Sequence, residues 1–213
     1  PDNAMGSKDV WDKAEAALES ALKKKKMKYK VNPKEGAFYG PKIDFHIKDS
    51  LGRPGQCATV QVDFMMPERF DIKYTGGDDK GHRPVIIHRV IYGSLERFIG
   101  ILTEHFSGAF PSWLSPVQVS VISMADRNVE YAEKIRQEIE KAGLRVMGDY
   151  GSHTVEYKVR AAEVMRVPLI IVCGDKEEAN DTVAVRTRGS KQIEFGVKLD
   201  DFVKQAKDET EKR

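Results

Sequence analysis

Apolar positions recur along the chain at two periods. Between residues 9 and 27, Val10, Ala14, Ala17, Leu18, Ala21 and Leu22 repeat at helical spacing and predict an amphipathic helix ending in Lys23–Lys26. Four lysines at that end suit the negative pole of the helix dipole. Residues 41–48, 56–64 and 84–91 change to alternation or β-branched runs, which predict strands. Tyr74–His82, rich in Gly and Asp, reads as an exposed loop between the last two. After Gly93 the helical period returns. Ile91, Leu95, Phe98 and Leu102 make a stripe on a helix at 93–107 that is expected to pack on the sheet. The result is an antiparallel meander closed by one helix, too few elements to cover their own apolar faces.

Phe110–Pro116, with prolines at 111 and 116, ends that pattern. Beyond it, strands at 117–124, 144–148, 167–173 and 182–188 alternate with helices at 127–142, 154–166 and 199–209. Such alternation implies βαβ crossovers and a mixed, largely parallel sheet covered by helices. The expected class is α/β in the α+β sense: an antiparallel sheet with helices, then a mixed, largely parallel α/β domain. Residues 1–7 lack periodicity and read as an expression scar, set aside from the fold. Residues 8–110 form the first domain, 111–116 a linker and 117–213 the second. The strand at 182–188 is expected at a sheet edge, with Val183 and Val185 inward and Ala184, Arg186 and Arg188 outward, where the cations suit a polyanion.

Composition narrows the function only slightly. The 213 residues carry 35 Lys and Arg against 33 Asp and Glu, a formal charge of +2. A protein that coats DNA would be more basic, whereas local basic patches suffice for a discrete RNA contact. Two cysteines, Cys57 and Cys173, stand far apart in strand-like runs and read as free thiols of a reducing compartment. No run reaches the roughly 18 apolar residues of a membrane span. A cytoplasmic location is expected.

Chemistry gathers in the first half. Arg97 sits near a helix start one turn after Gly93, where a missing side chain would leave a slot beside the guanidinium for a flat ring. In Gln56–Phe64, alternation puts Gln56, Ala58 and Val60 on one side and Cys57, Thr59, Gln61 and Asp63 on the other. A face of thiol, hydroxyl, amide and carboxylate either meets water or lines a pocket where ligand groups partner it. Phe38, Tyr39 and Lys42 add aromatic and cationic groups on the preceding turn.

In this order and spacing GAFYGPKIDF (36–45), QCATVQVDF (56–64) and IHRVIYGSLERFIGILTE (87–104) resemble the last third of the catalytic domain of threonyl-tRNA synthetases, a family of class II aminoacyl-tRNA synthetases. The third segment resembles the family's motif 3. Pro111–Pro116, Val172–Glu177 and Val183–Arg188 resemble its anticodon-binding domain. The resemblance implies activation of threonine by ATP with Mg2+ to an adenylate, then transfer to the threonine tRNA. It also implies a homodimeric parent enzyme, of which this chain alone would be a monomeric piece. Arg97 matches an arginine that lies against adenine and the γ-phosphate, a role for a planar, permanently charged fork. Gln56 and Thr59 match nucleotide-contacting positions, Tyr39 and Gln61 match positions near the threonine side chain, and Lys42 matches a lysine close to the reacting groups. His88 matches the third ligand of a Zn2+ that binds the amino group and hydroxyl of threonine. Such a required polar partner rejects valine far better than a methyl-sized pocket could. The other two ligands have no counterpart here, so His88 is expected to be metal-free in this chain.

Glu177 and Arg186 match anticodon-base contacts and Arg160 matches a third, in keeping with readers of unstacked bases. Asp149–His153 departs from the family, with Ser152 where an asparagine is frequent. Motifs 1 and 2 and an editing domain find no match in these residues, which implies a piece inactive in aminoacylation. Its rival is a stand-alone RNA-binding or regulatory relative. Prolyl, histidyl and glycyl enzymes share the anticodon domain, but GAFYGPKIDF argues against them.

Overall fold

A computed structural model of the chain describes residues 1–190 and 192–211. It divides into two compact units, Pro1–Leu102 and Thr103–Arg213.

The first unit opens with α1 (Lys8–Lys24), followed by β1 (Lys42–Lys48), β2 (Pro54–Asp63), the short α2 (Met65–Arg69), β3 (Tyr74–Thr75), β4 (Gly81–His82), β5 (Ile86–Val90) and α3 (Leu95–Phe106), within which the division falls. Strands β1, β2 and β5 form an antiparallel sheet in that order. The stretch read as a loop at 74–82 is a minimal hairpin of β3 and β4, with the Tyr74 and His82 rings 5.7 Å apart. Residues 1–7 are not all outside the fold. The Met5 N–H donates to the Phe38 carbonyl (2.8 Å), and the Trp11 indole donates to the Met5 carbonyl (2.7 Å) while its ring meets Phe64 edge-on. Gly40 packs so closely on β2 that a Cβ there would fall inside the Val62 carbonyl.

The stripe expected to bury on the sheet does not do so. Leu95 and Ile91 are exposed, as are Ile87 and Ile99, while Phe98 stacks on Tyr92 at 4.6 Å. Three strands and so few helices leave this apolar surface open, the shortfall that the element count implies.

In the second unit, β6 (Val119–Ser123), α4 (Val129–Lys141), β7 (Val146–Asp149), α5 (Val155–Val164), β8 (Leu169–Cys173), α6 (Asp175–Asn180), β9 (Val183–Thr187), β10 (Ile193–Val197) and α7 (Leu199–Glu211) follow in turn. The sheet order is β10-β9-β8-β6-β7, with β6 parallel to β7 and β8, and the β8–β9 and β9–β10 pairs antiparallel. Alternation along the strands splits the core between the two faces. Val119, Val121 and Ile171 pack with Tyr131, Ile135 and Ile139 of α4 and Phe202 of α7; Ile122 and Ile170 pack with Val159 and Ala162 of α5. Strand β9 is not an edge, because β10 lies outside it. Ala184, expected to face outward, is buried. Strand β10 escapes a periodicity reading because it is short, mostly exposed and irregular at Gly196, whose φ is +69°.

Candidate functional site

One face of the three-stranded sheet collects most of the residues singled out by sequence. Lys42 on β1, Gln61 on β2 and His88 on β5 stand directly opposite one another across the strands. Asp44 and Thr59 form the next rung. Opposed residues share a face, and so do residues two apart on one strand, so Lys42, Asp44, Thr59, Gln61, Asp63 and His88 all point the same way. Tyr39 joins them from the preceding turn: its hydroxyl donates to Gln61 Oε1 at 2.5 Å and its ring centre lies 5.6 Å from that of His88.

Strict alternation would put Gln56 on the far side, and here the strand departs from the rule. Between the Asp44–Thr59 and His46–Gln56 pairs, β2 spends three residues against two of β1, which is a β-bulge. The extra residue turns Gln56 to the same carboxylate as Thr59. Gln56 Nε2 and Thr59 Oγ1 each donate to Asp44 Oδ1 at 2.8 Å, and Lys42 Nζ lies 2.5 Å from Asp44 Oδ2. Asp44, not singled out by sequence, is the hub of that cluster. Its alternation with Lys42 in GPKIDF was the available signal.

Asp63 is the second residue that sequence reasoning passed over. Burial pushes its carboxyl up, but the Met66 N–H, His88 and the Met65 N–H together outweigh burial and hold it below the usual carboxylate range.

Arg97 enters from α3, whose first turn is capped by Ser94 Oγ accepting from the Arg97 N–H at 3.4 Å. Its guanidinium makes no hydrogen bond among the described residues and lies over Gly55 of β2. A Cβ at Gly55 would sit 2.8 Å from Nη2. The slot expected at Gly93 is therefore at Gly55. Gly93 itself, at φ +69°, serves a close approach to the Cys57 carbonyl.

In the second unit, Arg160 on α5 and Arg186 on β9 line one open hollow of about 360 Å3, together with Arg166, Arg188 and Glu163. Arg186 Nη1 donates to Glu163 Oε1 at 3.0 Å. Arg188 donates to the carbonyls of Arg166 and Phe110, both at 2.6 Å, so its head is pinned to backbone. Burial and the neighbouring Arg166 charge push the Arg188 pKa down, a sign that cations crowd there. Four guanidiniums against one carboxylate favour an anion. Glu177 does not line this hollow. It is buried in α6, and its carboxylate accepts from the Gly174 N–H at 3.2 Å, half of a capping box.

Comparison with known proteins agrees with this division. Residues 5–106 match the tRNA synthetase class II core domain (G, H, P, S and T), and residues 118–209 match the anticodon binding domain. These matches define a class: the chain belongs to the class II aminoacyl-tRNA synthetases. Its family within that class is threonyl-tRNA synthetase, of which it carries a segment of the catalytic core and the anticodon-binding domain. It is 52% identical to the threonine–tRNA ligase of Acetivibrio thermocellus over 204 residues, 95% of this chain and 32% of that protein. The chain thus spans about a third of the length of the curated relatives it matches. Among solved structures, the RNA binding domain of threonyl-tRNA synthetase from Cryptosporidium parvum superposes with a TM-score of 0.90 at 39% identity, covering 98% of this chain and 52% of that one. A putative threonyl-tRNA synthetase from Aeropyrum pernix gives 0.68 at 27% identity, covering 98% and 51%.

Proposed function

We propose that this chain is the part of a threonine–tRNA ligase that supplies one wall of the adenylate site and reads the anticodon of the threonine tRNA. The observation that carries the reading is the convergence of Tyr39, Lys42, Gln56, Thr59, Gln61 and His88 on one sheet face, with an unpartnered Arg97 over Gly55. ATP stacks on the Arg97 guanidinium, which also meets its phosphates, and Gln56 and Thr59 orient the nucleotide. Lys42 leaves Asp44 for the developing negative charge at the α-phosphate, where the need is for aligned charge rather than a covalent catalyst. Tyr39 and Gln61 orient threonine.

Zn2+, when bound, supplies a Lewis acid that takes the amino group and hydroxyl of threonine. His88 fits one ligand position, since its far nitrogen rests on a carboxylate as metal-bound histidines do. The described residues contain no group of three His, Cys, Asp or Glu that could hold the ion. Mg2+ accompanies ATP, and the parent enzyme is a cytoplasmic homodimer. No helix among the described residues is long and apolar enough to cross a membrane.

Binding of threonine tRNA to this chain tests the anticodon half. Arg186→Ala and Arg160→Ala are expected to weaken binding about tenfold each, and an anticodon-scrambled tRNA to bind correspondingly less well. Equal affinity for the scrambled tRNA would overturn the reading.

A further inference from the structure

We propose that Asp63 is a positioning residue for His88, locking the imidazole with its proton on Nε2 and leaving Nδ1 as the lone-pair atom offered to a Lewis-acidic cation. Asp63 closes β2 with its side chain 1% exposed, and Oδ2 lies 2.9 Å from His88 Nε2. The carboxylate is itself held. Oδ1 accepts from the N–H groups of Met65 and Met66, both at 2.9 Å, at the start of α2. An ionised carboxylate can only accept, so Nε2 must donate, and in the neutral ring that leaves Nδ1 bare.

His88 has its side chain 45% exposed, and Nδ1 has no hydrogen-bond partner among the described residues. An exposed histidine would ordinarily exchange tautomers and rotate. This one is tied at its far end to a buried anion, two rungs along the sheet from Ile86, the residue opposite Asp63. Carboxylate, imidazole and open nitrogen in series are the arrangement that orients a histidine ligand and raises its basicity. The use of Nδ1 toward a cation rests on the function proposed above, whereas the orientation of the ring does not. Failure of that function would appear in tRNA discrimination and leave the ring's tautomer untouched.

Long-range 15N–1H correlation spectra of the labelled chain, taken where His88 is neutral, decide the matter. The expected result is a single tautomer with Nε2 protonated, and saturating Zn2+ that shifts Nδ1. In Asp63→Asn the amide oxygen keeps the Met65 and Met66 N–H groups while its NH2 faces Nε2, so the proton should move to Nδ1. A rapidly exchanging mixture in the wild type, an Nδ1–H tautomer, or a Zn2+ shift at Nε2 or at neither nitrogen would overturn the proposal. So would an unchanged tautomer in a folded Asp63→Asn. Should that variant fail to fold, the wild-type spectrum alone decides.

Discussion

The Arg97 guanidinium lies over Gly55, with Nη2 only 2.8 Å from where a Cβ would stand. A methyl group on β2 would thus reach a residue on α3 across the sheet unit. Gly55→Ala is expected to push Arg97 aside at little cost in stability, within about 0.5 kcal/mol, because the obstructed group is the tip of a flexible side chain. The Arg97 Nε–H resonance should move while Tm holds. An unmoved resonance would show that the guanidinium does not rest there.

Gly93→Ala makes the opposite case. The obstruction is the backbone carbonyl of Cys57 at 2.8 Å, and the φ of +69° disfavours any Cβ. A loss of about 1–3 kcal/mol is expected, read as faster amide exchange in β5.

Ile135 and Ile139 anchor α4 in the core of the second unit, with Ile135 only 1% exposed. Ile135→Ala is expected to cost about 2–5 kcal/mol, measured by denaturant unfolding of the second unit's signals, because the sheet beneath cannot collapse into the void.

Glu177→Ala, a natural test of base reading, is expected to cost about 1 kcal/mol of stability on its own through the lost contact with the Gly174 N–H. Its effect on tRNA affinity is therefore to be compared with that of Glu177→Gln, which keeps an acceptor. If neither variant shifts Tm, the cap contributes nothing.

Glu133 accepts from Arg136, Gln137 and Tyr150, which hold its pKa at about 2. The folded value is depressed below the unfolded one, so this contribution to stability is fully present above about pH 4.3 and is lost as pH falls toward 2. A carbon-detected titration of the Glu133 carboxyl should show a midpoint near 2, rising in Tyr150→Phe.

Much of this was legible in the sequence because burial on one face imposes a period. The helices at 8–24 and 95–106 and the strands β1, β2, β5, β6 and β8 follow their apolar spacing, and the motifs drew Tyr39, Lys42, Gln61 and His88 to one face. What stayed hidden depends on contacts distant in sequence. Asp44 and Asp63 look like ordinary strand carboxylates until a partner strand is laid beside them. Strand β10 is too exposed to show a period, and its presence changes β9 from rim to interior. Glu177 shows the reverse: a residue picked for a ligand already serves a helix end.

The bulge in β2 acts as a change of phase in the middle of a strand. Removing one residue at 57 or 58 would restore regular pleating and rotate Gln56 away from Asp44, dismantling the cluster while every member kept its chemical identity. This stretch is thus constrained in length as well as in composition: substitutions there can be graded, whereas a deletion is all or none.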